Sequence, residues 1–200
     1  MTRWVVTGPT GAGKSAVTTL LAARGAVVID GDALGHDVLR DVLVREAIAV
    51  RFGPEVVAGG SIDRARLGRT VFADPAALAD LDAIMHGPLG LRMEAEFAAA
   101  ELVTRERIGA SLAVLEAAVY FRLPAPPRAD LVVAVLAAPE LRAVRLAART
   151  GLALEATRAR VLALSHLDRD WNRSDVTIRN EGSAEDLAAA VDRLWAAHAA

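Results

Sequence analysis

Gly8-Pro9-Thr10-Gly11-Ala12-Gly13-Lys14-Ser15 fits the pattern G-x-x-x-x-G-K-[ST] without a mismatch. Ahead of it, Trp4-Val5-Val6-Thr7 is a short apolar, β-rich run; behind it, Ala16 to Arg24 carries Val17, Leu20 and Leu21 on one face of a helix. Strand, glycine-rich loop and helix in that order form a phosphate cradle, with loop N–H groups and the positive helix end facing an anion. Lys14 is the only lysine in the chain; the other 22 of the 23 basic residues are arginine. A compact ammonium on a flexible stem can reach between the β- and γ-phosphates of a nucleotide, where a planar guanidinium is a poor replacement. The stretch predicts a nucleoside triphosphate site, with the Ser15 hydroxyl on Mg²⁺.

Composition narrows the classes. Two hundred residues suit a single domain with a sizeable core and a helical insertion. Hydrophobic residues make up 54% of the chain, yet no apolar run approaches the ~20 residues of a membrane span. The N-terminus opens into a core strand, which leaves no room for a signal peptide. With no cysteine there are no disulfides or thiolate metal sites, which is compatible with a cytoplasmic location. A net charge of −2 and a pI near 6.1 give no global attraction to nucleic acid.

Strands and helices alternate. After the first helix, Ala26 to Ile29 reads as a second strand ending at Asp30-Gly31-Asp32, and a long helix follows from about Ala33 to Arg51. Gly59-Gly60-Ser61 is a turn, and Asp63 caps a helix with Leu67, Val71 and Phe72. Asp74-Pro75 starts another, as N-cap and first helical residue. His86-Gly87-Pro88 is read as an interruption before a helix from about Leu89 to Arg107. Ser111 to Glu116, Leu131 to Leu136 and Val176 to Ile178 are the third to fifth strands. Pro139 to Arg149, Leu154 to Leu164 and Ala184 to Ala197 are helices, the last opened by the capping box Ser183-x-x-Asp186. The expected architecture is α/β, a parallel sheet covered on both faces with the nucleotide at the carboxyl ends of the strands.

Candidate chemical groups collect at those ends. Asp30 and Asp32 follow the second strand and Glu116 closes the third; an acid so placed can hold the Mg²⁺ water shell or accept a proton from an acceptor hydroxyl. Asp30-Gly31-Asp32 also suits a simple turn. Arg142, Arg145 and Arg149 share one helix face and precede Thr150-Gly151 and a further helix with Arg158 and Arg160. Such a helical pair can close over a triphosphate and neutralise the transferring group, with Arg149 and Arg145 the leading candidates.

The chain resembles the dephospho-CoA kinase family along nearly its whole length. The features occur in one order: the P-loop, V-I-D-G-D at Val28 to Asp32, I-D-R-A-R-L-G-R-x-V-F-A-D-P at Ile62 to Pro75 and L-x-x-I-x-H at Leu81 to His86. They continue with V-L-E-A-A at Val114 to Ala118, A-P-x-x-R-x-x-R-L-x-x-R-x-G at Ala138 to Gly151 and D-V-x-I-x-N-x-G-S at Asp175 to Ser183. The Ile62 to Pro75 stretch discriminates most, since binding a triphosphate does not demand it. The resemblance implies a P-loop NTPase three-layer fold: a five-stranded parallel sheet of the nucleoside monophosphate kinase type, a helical substrate domain and a small lid. It implies one kinase domain over 1–200, with core at about 1–32, 108–150 and 174–200, an acceptor-binding insertion at 33–107 and a lid at 150–172. It also implies transfer of the γ-phosphoryl of ATP, with Mg²⁺, to the ribose 3′-hydroxyl of dephospho-CoA, the last step of coenzyme A biosynthesis. The partner is then a small-molecule substrate, and the enzyme a cytoplasmic monomer or small homo-oligomer.

By the same resemblance, Gly11, Ala12, Gly13, Lys14, Ser15 and Ala16 bind the triphosphate, Ser15 binds Mg²⁺, and Asp32 is the base near the 3′-hydroxyl. Arg149 is the lid arginine, Asn180 lies near the adenine, and His86 and Glu116 lie on the acceptor side. Four departures stand out: Gly87 separates His86 from Pro88, Arg122 follows Phe121 where the family has glutamate, Leu164 replaces a lid glutamine, and Pro9 removes a loop N–H. They touch the acceptor and lid sides more than the cradle. Other readings are a kinase of another small hydroxyl (gluconate, shikimate or a nucleoside monophosphate) and a nucleotide-binding switch. The opening G-P-T-G-x-G-K is also shared with tRNA prenyl-transferases, for which the chain is short and lacks a basic tRNA surface.

Overall fold

The valine-rich run at the N-terminus becomes the middle of the sheet. In the computed structural model, which describes residues 1–106, 112–165 and 171–199, β1 (Thr2–Thr7) pairs in parallel with β5 (Leu112–Glu116) and with β6 (Leu131–Leu136). β2 (Val27–Asp30) adds to β5 and β7 (Val176–Arg179) to β6, giving the order β2-β5-β1-β6-β7 with every pair parallel. The expected Ser111 start of the third strand, the helix end at Arg107, the core's resumption at 108 and lid positions 166–170 lie outside the described residues, as does the Phe72 side chain.

Trp4 and Val6 lie on the sheet face that packs on α1 (Lys14–Ala22) and α8 (Ala184–His198), through Val17, Leu21, Leu187, Val191 and Leu194. Val5, Leu115 and Ala134 on the alternate register positions are also fully buried. Burial on both faces explains why the central strands read as continuous apolar runs. The capping box at Ser183 and Asp186 forms as expected, each side chain accepting from the other residue's N–H at 3.2 and 2.9 Å.

The chain divides into two compact units. The first comprises Met1–Asp30, Glu96–Phe121 and Arg128–Ala200, and the second Gly31–Ala95 with Arg122–Pro127. In the first unit, α6 (Pro139–Thr150) and α7 (Leu154–Ala163) form a helical pair closed by Ala143, Leu146 and Val161 and tied by the Arg158–Glu140 ion pair. The second unit holds α2 (Gly31–Val38), α3 (Val42–Phe52), the antiparallel hairpin of β3 (Val57–Ala58) and β4 (Ser61–Ile62), α4 (Arg64–Ala73) and the front of α5 (Pro75–Glu106).

Two expectations change. The helix read over Ala33 to Arg51 is two helices, because the Asp41 carboxylate accepts the Leu43 N–H at 2.8 Å and starts α3 afresh. And His86-Gly87-Pro88 does not interrupt: α5 runs unbroken through Pro88 for 32 residues. A mid-helix proline costs about 3 kcal/mol through its missing N–H and ring clash. Leu89, Met93 and Phe97, all buried at helical spacing on one face, return about 1.5–3 kcal/mol each, so packing overrides the local breaker. The Asp74-Pro75 start does form, with the Asp74 carboxylate accepting the Ala76 N–H at 2.9 Å.

Candidate functional site

The loop between β1 and α1 is built by what surrounds it. Gly13, at φ 102°, is the N-cap of α1, and a Cβ there would strike Nδ2 of Asn180. At Gly11 (φ 81°) a Cβ would come 2.6 Å from the carbonyl oxygen of Arg142. Only glycine combines that backbone conformation with that proximity. Asn180, 7% exposed, donates through Nδ2 to the Ala12 carbonyl at 2.8 Å. Arg145 reaches the same corner, donating through Nη1 to the Asn180 carbonyl at 3.0 Å and toward that of Ala12 at 3.5 Å. The loop's inner edge is thus fixed by side chains from α6 and from the end of β7.

The first turn of α1 has neither a capping side chain nor an acid. α3, α4 and α8 are capped by side chains, and α6 and α7, which lack such a cap, carry Glu140 and Glu155 in their first turns. An N-terminus left this way keeps its partial positive charge for an anionic ligand. Lys14 is 9% exposed and its Nζ donates to the Pro9 carbonyl at 3.4 Å. Pro9 contributes no N–H, yet its carbonyl also accepts from Ala12 N at 3.2 Å, so the substitution leaves the loop closed.

Glu116 ends β5 directly opposite Asp30 on β2 and Val6 on β1. Its carboxylate accepts from the Ser15 hydroxyl at 2.8 Å and from the Thr18 hydroxyl at 3.0 Å. Glu116, expected on the acceptor side, is therefore a partner of the expected metal ligand Ser15. Thr18 was not singled out from the sequence, although it stands three residues after Ser15 and so on the same helix face. Ser15, Glu116 and Asp30 supply oxygen donors at the carboxyl edge of the sheet. Mg²⁺ takes one or two protein oxygens together with phosphate and water. Among the described residues no group of three or more histidines, cysteines and acids is placed to hold a metal ion.

The arginines of α6 divide in role. Arg142 is buried, Arg145 holds the loop, and Arg149 is exposed in the last turn beside the C-cap Gly151. Arg149 has no acidic partner among the described residues, unlike Arg158, which is bound to Glu140. That pairing lowers the Glu140 carboxyl below its usual range, through the hydrogen bond from Arg158 first and its charge second. Leu164 is the half-buried C-cap residue of α7.

Asp32 and His86 belong to the second unit. Asp32 is exposed in the first turn of α2. His86 is 7% exposed, with Nε2 3.2 Å from one Asp82 oxygen, while Arg122 pairs with the other. Burial pushes the Asp82 carboxyl up, but the His86 hydrogen bond and the Arg122 charge together hold it below 3.8. Arg122 is thus paired within the unit by Asp82. A Cβ at Gly87 would meet nothing within 4 Å, so no close contact requires glycine there.

No described helix is long and apolar enough to cross a membrane. Residues 4–186 match the family model for dephospho-CoA kinase. The dephospho-CoA kinase of Symbiobacterium thermophilum is 38% identical over 194 residues, covering 96% of this chain and 79% of that one. TT1252 from Thermus thermophilus superimposes with a TM-score of 0.70 at 32% identity, covering 98% and 97% of the two chains. A dephospho-CoA kinase from Campylobacter jejuni gives 0.61 at 21% identity, over 96% and 94%. Because the match runs from the first core strand to the capping box of the last helix, and not through the nucleotide loop alone, the chain belongs to the dephospho-CoA kinase family.

Proposed function

We propose that this ATP-dependent kinase transfers the γ-phosphoryl of ATP to the ribose 3′-hydroxyl of dephospho-CoA, giving coenzyme A and ADP, with its residues dividing the work as follows. The observation that carries the reading is the first turn of α1: uncapped, free of acid, and bearing Lys14 and Ser15 in a chain of this family. The N–H groups of residues 11–16 cradle the β- and γ-phosphates. Lys14 turns from the Pro9 carbonyl to the γ-phosphate as charge develops there. Ser15 and Glu116 would hold Mg²⁺, which would supply positive charge against the charge developing on the triphosphate. Asn180 and Arg145 keep the loop in register beside the adenine. Arg149 comes onto the phosphates from the end of α6.

Asp32 accepts the proton of the 3′-hydroxyl as its oxygen bonds to the γ-phosphorus. The bond from that phosphorus to the β–γ bridging oxygen breaks, and its electron pair departs with ADP. His86, held by Asp82, shapes the acceptor side. The enzyme works in the cytoplasm as a monomer or small homo-oligomer. The test is ADP release by purified protein with ATP and Mg²⁺ against a matched panel of dephospho-CoA, gluconate, shikimate and nucleoside monophosphates. Release stimulated by dephospho-CoA alone is the expected result; stimulation by another acceptor, or by none, overturns the reading.

A further inference from the structure

The second unit contains a pocket of about 330 Å³ that the roles above leave unused. It is lined by His36 and Arg40 from α2 and the turn after it, Arg45 from α3, and Arg64 from the first turn of α4, with the β3–β4 hairpin as floor. No acid is among the lining residues. Arg40 pairs with Asp37 at 2.6 Å; the Arg45 guanidinium is anchored by donating to the Gly60 carbonyl at 2.7 Å, and neither it nor Arg64 has an acidic partner among the described residues. Elsewhere in the chain, Arg24, Arg51, Arg122 and Arg158 each lie against a carboxylate. Two guanidinium groups without an acidic partner, beside a third arginine and a histidine around a concave site, suit the recognition of phosphate oxygens.

The pocket also explains part of the Ile62 to Pro75 motif. Asp63 caps α4 by accepting the Arg66 N–H at 3.0 Å, Arg66 donates to the Glu55 carbonyl at 2.9 Å, and Leu67 and Val71 are buried. Those residues are accounted for by folding. Arg64 is exposed, bonds to none of them, and faces the pocket.

Position identifies the anion. His36 stands four residues after Asp32 on α2, hence on the same helix face and about 6 Å further along it. In dephospho-CoA the anion nearest the 3′-hydroxyl is the 5′-diphosphate of the same ribose, a few bonds away. The volume lies at the bottom of the ~300–1,000 Å³ usual for ligand pockets, enough for such a group and not for the whole acceptor. We infer that the pocket of His36, Arg40, Arg45 and Arg64 holds the 5′-diphosphate of the acceptor while Asp32, one helical turn away, meets its 3′-hydroxyl. The inference rests on the proposed acceptor and adds the subsite that selects it.

The test compares dephospho-CoA with adenosine, which offers the same 3′-hydroxyl but no diphosphate, in wild type, Arg64→Ala and Arg64→Lys. Arg64→Ala should raise KM for dephospho-CoA about tenfold to a hundredfold, the worth of one charge-assisted hydrogen bond, with kcat and the KM for ATP changed much less. The preference for dephospho-CoA over adenosine should fall by the same factor, and Arg64→Lys should recover part of it. Inorganic pyrophosphate should compete with dephospho-CoA in wild type and lose potency in Arg64→Ala. Equal losses with both acceptors, an unchanged preference, or pyrophosphate inhibition indifferent to Arg64 would overturn the subsite. Calorimetric titration with dephospho-CoA in the absence of ATP separates the two readings. Binding that depends on Arg64 without any phosphoryl transfer would sink the proposed reaction and leave the subsite standing. Transfer with Arg64-independent binding would do the reverse.

Discussion

The phosphate loop of the first unit and the helical insertion of the second are held together by opposite means. In the loop, side chains serve to hold the backbone: Asn180 donates to the Ala12 carbonyl and Arg145 to that of Asn180, while Glu116 fixes Ser15 and Thr18. In the insertion the backbone forms ordinary capped helices and a hairpin, and charged side chains face outward or pair with one another. Backbone cradles tolerate almost no change in conformation. Side-chain surfaces tolerate substitution wherever a neighbour can pair with the new group, as Asp82 pairs with Arg122.

The sharpest way to break the comparison is at Lys14, the one cradle side chain assigned to the transferring group. Lys14→Ala should lower kcat by about 10²–10³-fold or more with an unchanged melting temperature. Lys14→Arg should fail too, and wild-type turnover in that variant would remove the argument for a compact ammonium. Next is Asp32→Asn, which keeps shape but removes the proton acceptor; kcat should drop by about 10²–10⁴-fold, with ATP affinity much less affected. Asp30→Asn should be milder, and the opposite ranking in steady-state kinetics would transfer the base to Asp30.

A smaller effect tests the locked backbone. Gly13→Ala should destabilise by about 1–3 kcal/mol, from the strained φ and the clash with Asn180, and should raise the KM for ATP. Combining it with Asn180→Ala relieves the clash but not the strain, so denaturant titrations should show the two losses to be less than additive. Arg145→Ala alone should cost about 1 kcal/mol and raise the KM for ATP modestly. An effect on the acceptor's KM instead would place Arg145 outside the cradle.

The smallest expected effect belongs to the insertion and depends on pH. The Asp82 carboxyl is held below its ordinary 3.8 in the folded chain, so its stabilising contribution is present above that value and is lost as pH falls through the lowered one. Arg122→Ala removes part of the cause, costing about 1 kcal/mol at neutral pH, the upper end for a partly exposed ion pair. The melting temperatures of variant and wild type should therefore differ most near pH 7 and converge below about pH 4. A difference independent of pH would mean that Arg122 acts through packing alone.

Much of this was legible in the chain because the signals are local. Strand, loop and helix around Gly8 to Ser15, the Asp63 and Asp74 caps and the Ser183 capping box each depend on residues within one or two turns, and each formed. The unbroken α5 was not legible, since Pro88 is a local breaker and its compensation comes from the distant surfaces that bury Leu89, Met93 and Phe97. Glu116 was found as a strand-end acid, but its partners Ser15 and Thr18 lie about a hundred residues away in sequence.

The sequence by itself determined that a phosphate loop opens a parallel α/β fold, that Lys14 and Ser15 occupy its helix end, and which family signature follows. Local hydrogen-bonding geometry and hydrophobic period suffice for those. Only the tertiary structure decided that Arg145 and Asn180 brace the loop, that Asp82 pairs with Arg122, and that Arg64 joins His36, Arg40 and Arg45 around one pocket. These are meetings between side chains far apart in the chain, and no period or motif encodes the distance between them.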